Sequence, residues 1–201
     1  PNYEGWGYTE VSLDEVSMDT IISDSALERI DDPLMRSMIW TALFKAPSNG
    51  QIENSTLLET LIASLPKEDN DRVIRQSLAA LVSNLNLLER LGGKYVNELA
   101  LYGPQAEQQL WQLINAGVSD EADSQSVGTL NLRLSRYIGL ARSFEALGNL
   151  ASLLEDGAGI SGLSLGQNQR WNIIQRFTAR DYDTARELLA TERQRDPSDA
   201  G

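Results

Sequence analysis

An all-α protein is predicted, arranged as an irregular α-solenoid or as stacked antiparallel helix pairs, with one short strand at its N-terminus. From about residue 33 onward, apolar residues recur at three- and four-residue intervals, the spacing of one helix face. Short breaks rich in proline, glycine and asparagine separate these stretches, which makes successive helices antiparallel neighbours. Strict alternation of aromatic or β-branched residues with polar ones occurs once, in Gly7-Tyr8-Thr9-Glu10-Val11-Ser12-Leu13, and predicts the strand.

The first clear helix opens at Asp32-Pro33, an N-cap followed by a first-turn proline, and Leu34, Met35, Met38, Ile39, Ala42 and Leu43 are expected to line its inner face. Ala46-Pro47-Ser48-Asn49-Gly50 stops it. A second helix is expected over 55–64, with Pro66 marking its end. The acidic run Glu68-Asp69-Asn70-Asp71 suits the N-terminus of a third, which carries Val73, Ile74, Leu78, Leu81, Val82, Leu85 and Leu88 on one side and ends at Gly92-Gly93. Tyr102-Gly103-Pro104 reads as a loop leading to a helix over 107–116, with Leu110, Trp111 and Ile114 inward. Asp120 is expected to cap a long helix striped by Val127, Leu130, Leu134, Tyr137, Ile138 and Ala141. Helices over 144–155, 168–179 and 184–193 complete the chain. Stacked helix pairs of this kind are HEAT- or armadillo-like, although no strict repeat period is present.

Composition excludes several functions. Acidic residues outnumber basic ones 29 to 17 and the net charge is −12, so a phosphate backbone would be repelled and no nucleic-acid partner is expected. Arg170, Arg176, Arg180 and Arg186 form the densest basic group, but Asp181, Asp183 and Glu187 are interleaved with them, as on a solvated helix face. No cysteine is present, which agrees with a reducing compartment; cytoplasm is the expected location. No apolar run is long enough to span a membrane.

Candidate chemistry is sparse. With no histidine, a catalytic zinc site of the H-E-x-x-H kind and a Ser-His-Asp triad are both excluded, and with no cysteine there is no thiol nucleophile. Gly157, Gly159 and Gly162 match the letters G-x-G-x-x-G, with Asp181 downstream. The preceding segment reads as helix where a dinucleotide site needs a strand, so a helix-to-helix loop is the better reading. Asp69-Asn70-Asp71 and Asp181-Tyr182-Asp183 resemble the start of a calcium loop, but Ile74 and Arg186 stand where its glycine belongs, which favours helix capping. Trp40, Trp111 and Trp171 lie in or beside apolar stripes and are expected in the core.

The segment Ile30-Asp31-Asp32-Pro33-Leu34-Met35-Arg36-Ser37-Met38-Ile39-Trp40-Thr41-Ala42-Leu43-Phe44 resembles the "dpl-R-W" helix that follows the β-domain in bacterial members of the aminopeptidase N family. Tyr8 to Leu13 resembles the last strand of that β-domain, and Asn49-Gly50-Gln51-Ile52 the turn after the tryptophan helix. Gly162-Leu163-Ser164-Leu165, Arg170-Trp171, Asp181 and Asp196-Pro197-Ser198-Asp199-Ala200-Gly201 resemble a motif series near the end of actinobacterial members. Nearly the whole chain is covered.

The resemblance implies residues 1–15 as the end of a preceding β-domain or a linker. It implies residues 16–201 as a helical C-terminal domain similar to that of the endoplasmic-reticulum aminopeptidases. The family series would continue past Gly201, so the domain is expected to be truncated at its C-terminus. Such a domain is a bowl of helices that closes the substrate chamber of a zinc metallopeptidase. Its expected partners are the catalytic and β-domains of the same polypeptide and peptide substrates. Zinc, the H-E-x-x-H motif and the G-x-M-E-N motif belong to the catalytic domain. No position here matches them, so no catalytic, cofactor-binding or metal-ligating residue is assigned. The competing expectation is a free-standing helical-repeat scaffold for protein–protein interaction.

Overall fold

A computed structural model describes residues 11–23, 26–116, 124–156 and 165–196. Helices dominate: α1 (Glu15–Ser23), α2 (Pro33–Lys45), α3 (Asn54–Ser64), α4 (Asp71–Leu91), α5 (Val96–Ala116), α6 (Ser124–Leu140), α7 (Phe144–Asp156), α8 (Gln167–Ala179) and α9 (Ala185–Arg195), with 3-10 turns at Ala26–Arg29, Leu65–Lys67 and Gly93–Tyr95. The predicted strand begins outside the described residues, and residues 11–14, which include its last three positions, form neither strand nor helix. The expected cap at Asp120 also lies outside them. The chain divides into two compact units, Pro1–Tyr102 and Gly103–Gly201.

In the first unit α2 and α3 both pack on α4. The starts of α1, α2 and α4 each have a chemical cause. Asp14 accepts the Ser17 N–H at 2.9 Å, and this bond holds its carboxyl below the ordinary value. Asp32 accepts the Leu34 N–H at 2.9 Å with Pro33 in the first turn, as expected. Asn70 accepts from both Arg72 and Val73. Gly92 and Gly93 adopt φ of 56° and 54°, a region costly for other residues, and stop α4. Leu43, Leu58, Leu61, Val73, Leu78, Leu81 and Leu85 are fully enclosed.

The inner face of α2 differs from its hydrophobic pattern. Leu34 and Met35 are 58% and 52% exposed, whereas Ser37 and Trp40 are buried. Ser37 enters the core because its hydroxyl pairs with Gln76 Oε1 on α4 at 2.9 Å, a partner that sequence periodicity does not register. Trp40 stacks on Phe44 with ring centroids 5.5 Å apart.

The expected loop at Tyr102-Gly103-Pro104 is helix: Pro104 lies inside α5. Proline removes the hydrogen bond to the carbonyl four residues earlier, that of Ala100. Ala100 and Pro104 both face solvent, where water can satisfy that carbonyl, while Tyr102, Ala106, Leu110 and Ile114 continue one buried stripe past the proline.

In the second unit α8 packs against α6, α7 and α9. Leu134, Leu150, Leu153, Ile173 and Phe177 are enclosed, and Phe177 stacks on Tyr182 at 4.6 Å. Val127, expected in the stripe of α6, is 38% exposed. Gln169 Oε1 accepts the Gly166 N–H at the start of α8.

Candidate functional site

Charged clusters are the first places to look for chemistry, and most of them here are closed on themselves. Arg36 Nε and Nη2 form a fork on Glu68 at 3.1 and 2.8 Å, Nη1 donates to the carbonyls of Ile30 and Asp31 at 2.8 and 3.1 Å, and Nη2 also reaches Asp69 at 3.0 Å. The Glu68 bond raises the guanidinium above its ordinary value. Every nitrogen of this group is engaged, so the cavity of about 230 Å³ beside it is walled by a cation that already has its anion. Asp69 and Asn70 serve the arginine and the helix cap respectively, as capping chemistry predicted for the latter.

Arg170 has a matching arrangement. Nε lies 2.8 and 2.9 Å from the two oxygens of Glu192, Nη2 lies 2.7 Å from one of them, and Nη1 donates to the Leu154 carbonyl. Arg176 Nε donates to the Ile138 carbonyl at 2.8 Å, near the end of α6. These two arginines tie helices together, which corrects the expectation of a solvated face. Trp171 Nε1 donates to Asp196 at 2.6 Å, and Gln167 donates to the same carboxylate oxygen. Asp196 and the Arg170-Trp171 pair, distant in sequence, therefore meet.

Asp181 sits in a turn with φ of 50°, and Thr184 occupies the N-cap of α9 without a side-chain hydrogen bond, so Asp181 and Asp183 do not perform the expected capping. Gly157, Gly159 and Gly162 lie outside the described residues. Of the three tryptophans expected in the core, Trp40 is buried, whereas Trp111 and Trp171 are partly exposed.

Glu107 is a charged side chain that is not closed on itself. Glu107 on α5 is 3% exposed; its Oε1 accepts the backbone N–H groups of Arg142 and Ser143 at 2.7 and 3.2 Å, in the turn before α7. Its Oε2 is buried and accepts no hydrogen bond. Glu107 lines a cavity of about 290 Å³ whose wall includes Trp111 and Tyr137, stacked with centroids 5.1 Å apart. The Tyr137 hydroxyl accepts from Asn149 at 3.0 Å and donates to the Ala146 carbonyl. Burial pushes this phenol up, the Asn149 bond opposes the rise, and the charges of Glu107 and Glu145 add to it.

Sequence reasoning passed over Glu107. A signal was present: the glutamate occupies an inward position in the register of Leu110 and Ile114, and a charge at a core position asks for a partner.

Among the described residues no group of three or more His, Cys, Asp or Glu side chains is placed to hold a metal ion, and no helix is long and apolar enough to cross a membrane. Catalytic zinc does not fit this chain, which offers neither imidazole nor thiolate.

Fold and clusters together define a helical domain in which nearly buried arginine–glutamate pairs join its elements. The family model described as the ERAP1-like C-terminal domain matches residues 1–201, and the chain belongs to that family, the C-terminal domain of ERAP1-like aminopeptidases. No curated protein matches the chain.

Proposed function

We propose that this chain is the non-catalytic C-terminal domain of a zinc-dependent aminopeptidase of bacterial origin and cytoplasmic location, closing the substrate chamber and governing the access and contacts of peptides. The family match over the full 201 residues carries the reading, and the absence of histidine and cysteine from the sequence supports a division of labour with a separate catalytic domain. Zinc belongs to that other domain. Such a domain contributes contact with parts of the peptide remote from the scissile bond, and that binding energy can hold the reacting end in position.

Its partners are accordingly the catalytic and β-domains of the same polypeptide and the peptide itself. The 201-residue chain, incubated with zinc and an aminoacyl-arylamide, is expected to release no arylamine above the blank. Sustained turnover would overturn the division of labour. Sequencing upstream of Pro1 separates this reading from a free-standing scaffold: an H-E-x-x-H motif some hundreds of residues earlier supports the first, an immediate start codon the second.

A further inference from the structure

We infer that the cavity between α5, α6 and the start of α7 is a subsite for the guanidinium group of an arginine side chain in a bound peptide. Glu107 carries the argument. A buried carboxylate oxygen with no hydrogen bond is expensive, and in a native fold such an atom calls for a partner. Oε1 of the same group is held by two backbone N–H groups at the α6–α7 turn, which fixes the carboxylate and leaves Oε2 as an acceptor without a donor.

The surroundings specify the donor. The cavity is walled by the Trp111 and Tyr137 rings, by a second carboxylate at the exposed Glu145, and by the amides of Gln108 and Asn149; none of its described lining residues is basic. Two negative charges beside aromatic rings disfavour an anion and favour a cation. A planar guanidinium suits the place best, because it can lie against Trp111 while an edge N–H reaches Glu107. At about 290 Å³ the cavity sits at the small end of ligand pockets, which suits one side chain.

This refines the peptide-contact reading, and its test separates the two. The probe is Nα-acetyl-arginine amide, titrated into the 201-residue chain and followed by the NMR shifts of the Trp111 indole N–H and the Ser143 amide. Nα-acetyl-citrulline amide, the same shape with a neutral urea, is the control. Saturable shifts with a dissociation constant of about a millimolar are expected for arginine, with citrulline at least about tenfold weaker.

Glu107→Gln keeps an acceptor for the Arg142 and Ser143 N–H groups and is expected to weaken arginine at least about tenfold, with an unchanged melting temperature. Glu145→Gln, on the rim, is expected to weaken it about twofold. Equal binding of the two probes, unaltered arginine affinity in a folded Glu107→Gln protein, or no saturable shift at these residues would overturn the subsite. If Glu107→Gln does not fold, the arginine–citrulline comparison on the unaltered chain decides alone. The probe has no peptide length, so its failure removes the cation subsite and leaves peptide contact to be judged by peptide binding.

Discussion

Arg36 in the first unit and Arg170 in the second are each paired two-pronged with a nearly buried glutamate, each donates to a main-chain carbonyl, and each has a tryptophan nearby in sequence. The glutamates differ in their support. Glu68 lies between a 3-10 turn and α4, also accepts the Asn70 N–H, and has the 92%-exposed Asp69 beside it sharing the cation. Glu192 lies within α9 and is 3% exposed. The tryptophans differ more: Trp40 is core, while Trp171 stays partly exposed and hydrogen-bonds Asp196. Similar letters thus serve two constructions, one organising a helix entry and the other joining α8 to α9, so the two sites are not copies of one repeat.

Breaking the second node is expected to cost most. Glu192→Ala strands a buried guanidinium and is expected to destabilise by about 3–5 kcal/mol in urea unfolding, whereas Arg170→Met with Glu192→Leu together recovers most of that loss. Arg36→Met is expected to cost less, about 2–3 kcal/mol, because Glu68 keeps the Asn70 N–H as a backbone donor. A larger loss at Arg36 than at Glu192 would reverse the comparison. Trp171→Phe removes the indole donor and leaves Asp196 with Gln167; about 1.5–2 kcal/mol is expected from the same measurement.

The last prediction is read at alkaline pH and concerns Tyr102, whose hydroxyl donates to Glu59 at 2.6 Å. That bond first, then burial, pushes the phenol up to about 12. The folded value exceeds the unfolded value of 10.0, so the fold favours the neutral phenol. Its contribution is fully present below pH 10, lost as pH rises toward about 12, and absent as a pH-dependent term in Tyr102→Phe. Alkaline urea titrations of the two proteins measure the difference.

What the sequence disclosed was local. The Asp32-Pro33 entry, the Asn70 cap and the Gly92-Gly93 stop are decided by groups within a few residues, and each is found as expected. Pro104 misled because its local penalty was outweighed by the continuous buried stripe from Tyr102 to Ile114. Leu34 and Met35 misled because α2 turns Ser37 toward Gln76. The partnership of Arg170 with Glu192 spans 22 positions, and no periodicity signals it. Glu107 was legible only as a charge in an apolar register; its partners at the α6–α7 turn required the folded chain.

The claim that this helical domain supplies peptide contact without chemistry is tested most directly by titrating the 201-residue chain into a fluorescent peptide of about ten to fifteen residues carrying one arginine, with anisotropy as the readout. Saturable binding with the peptide's mass unchanged is predicted. No saturable binding, or a peptide shortened from its N-terminus, would contradict the account.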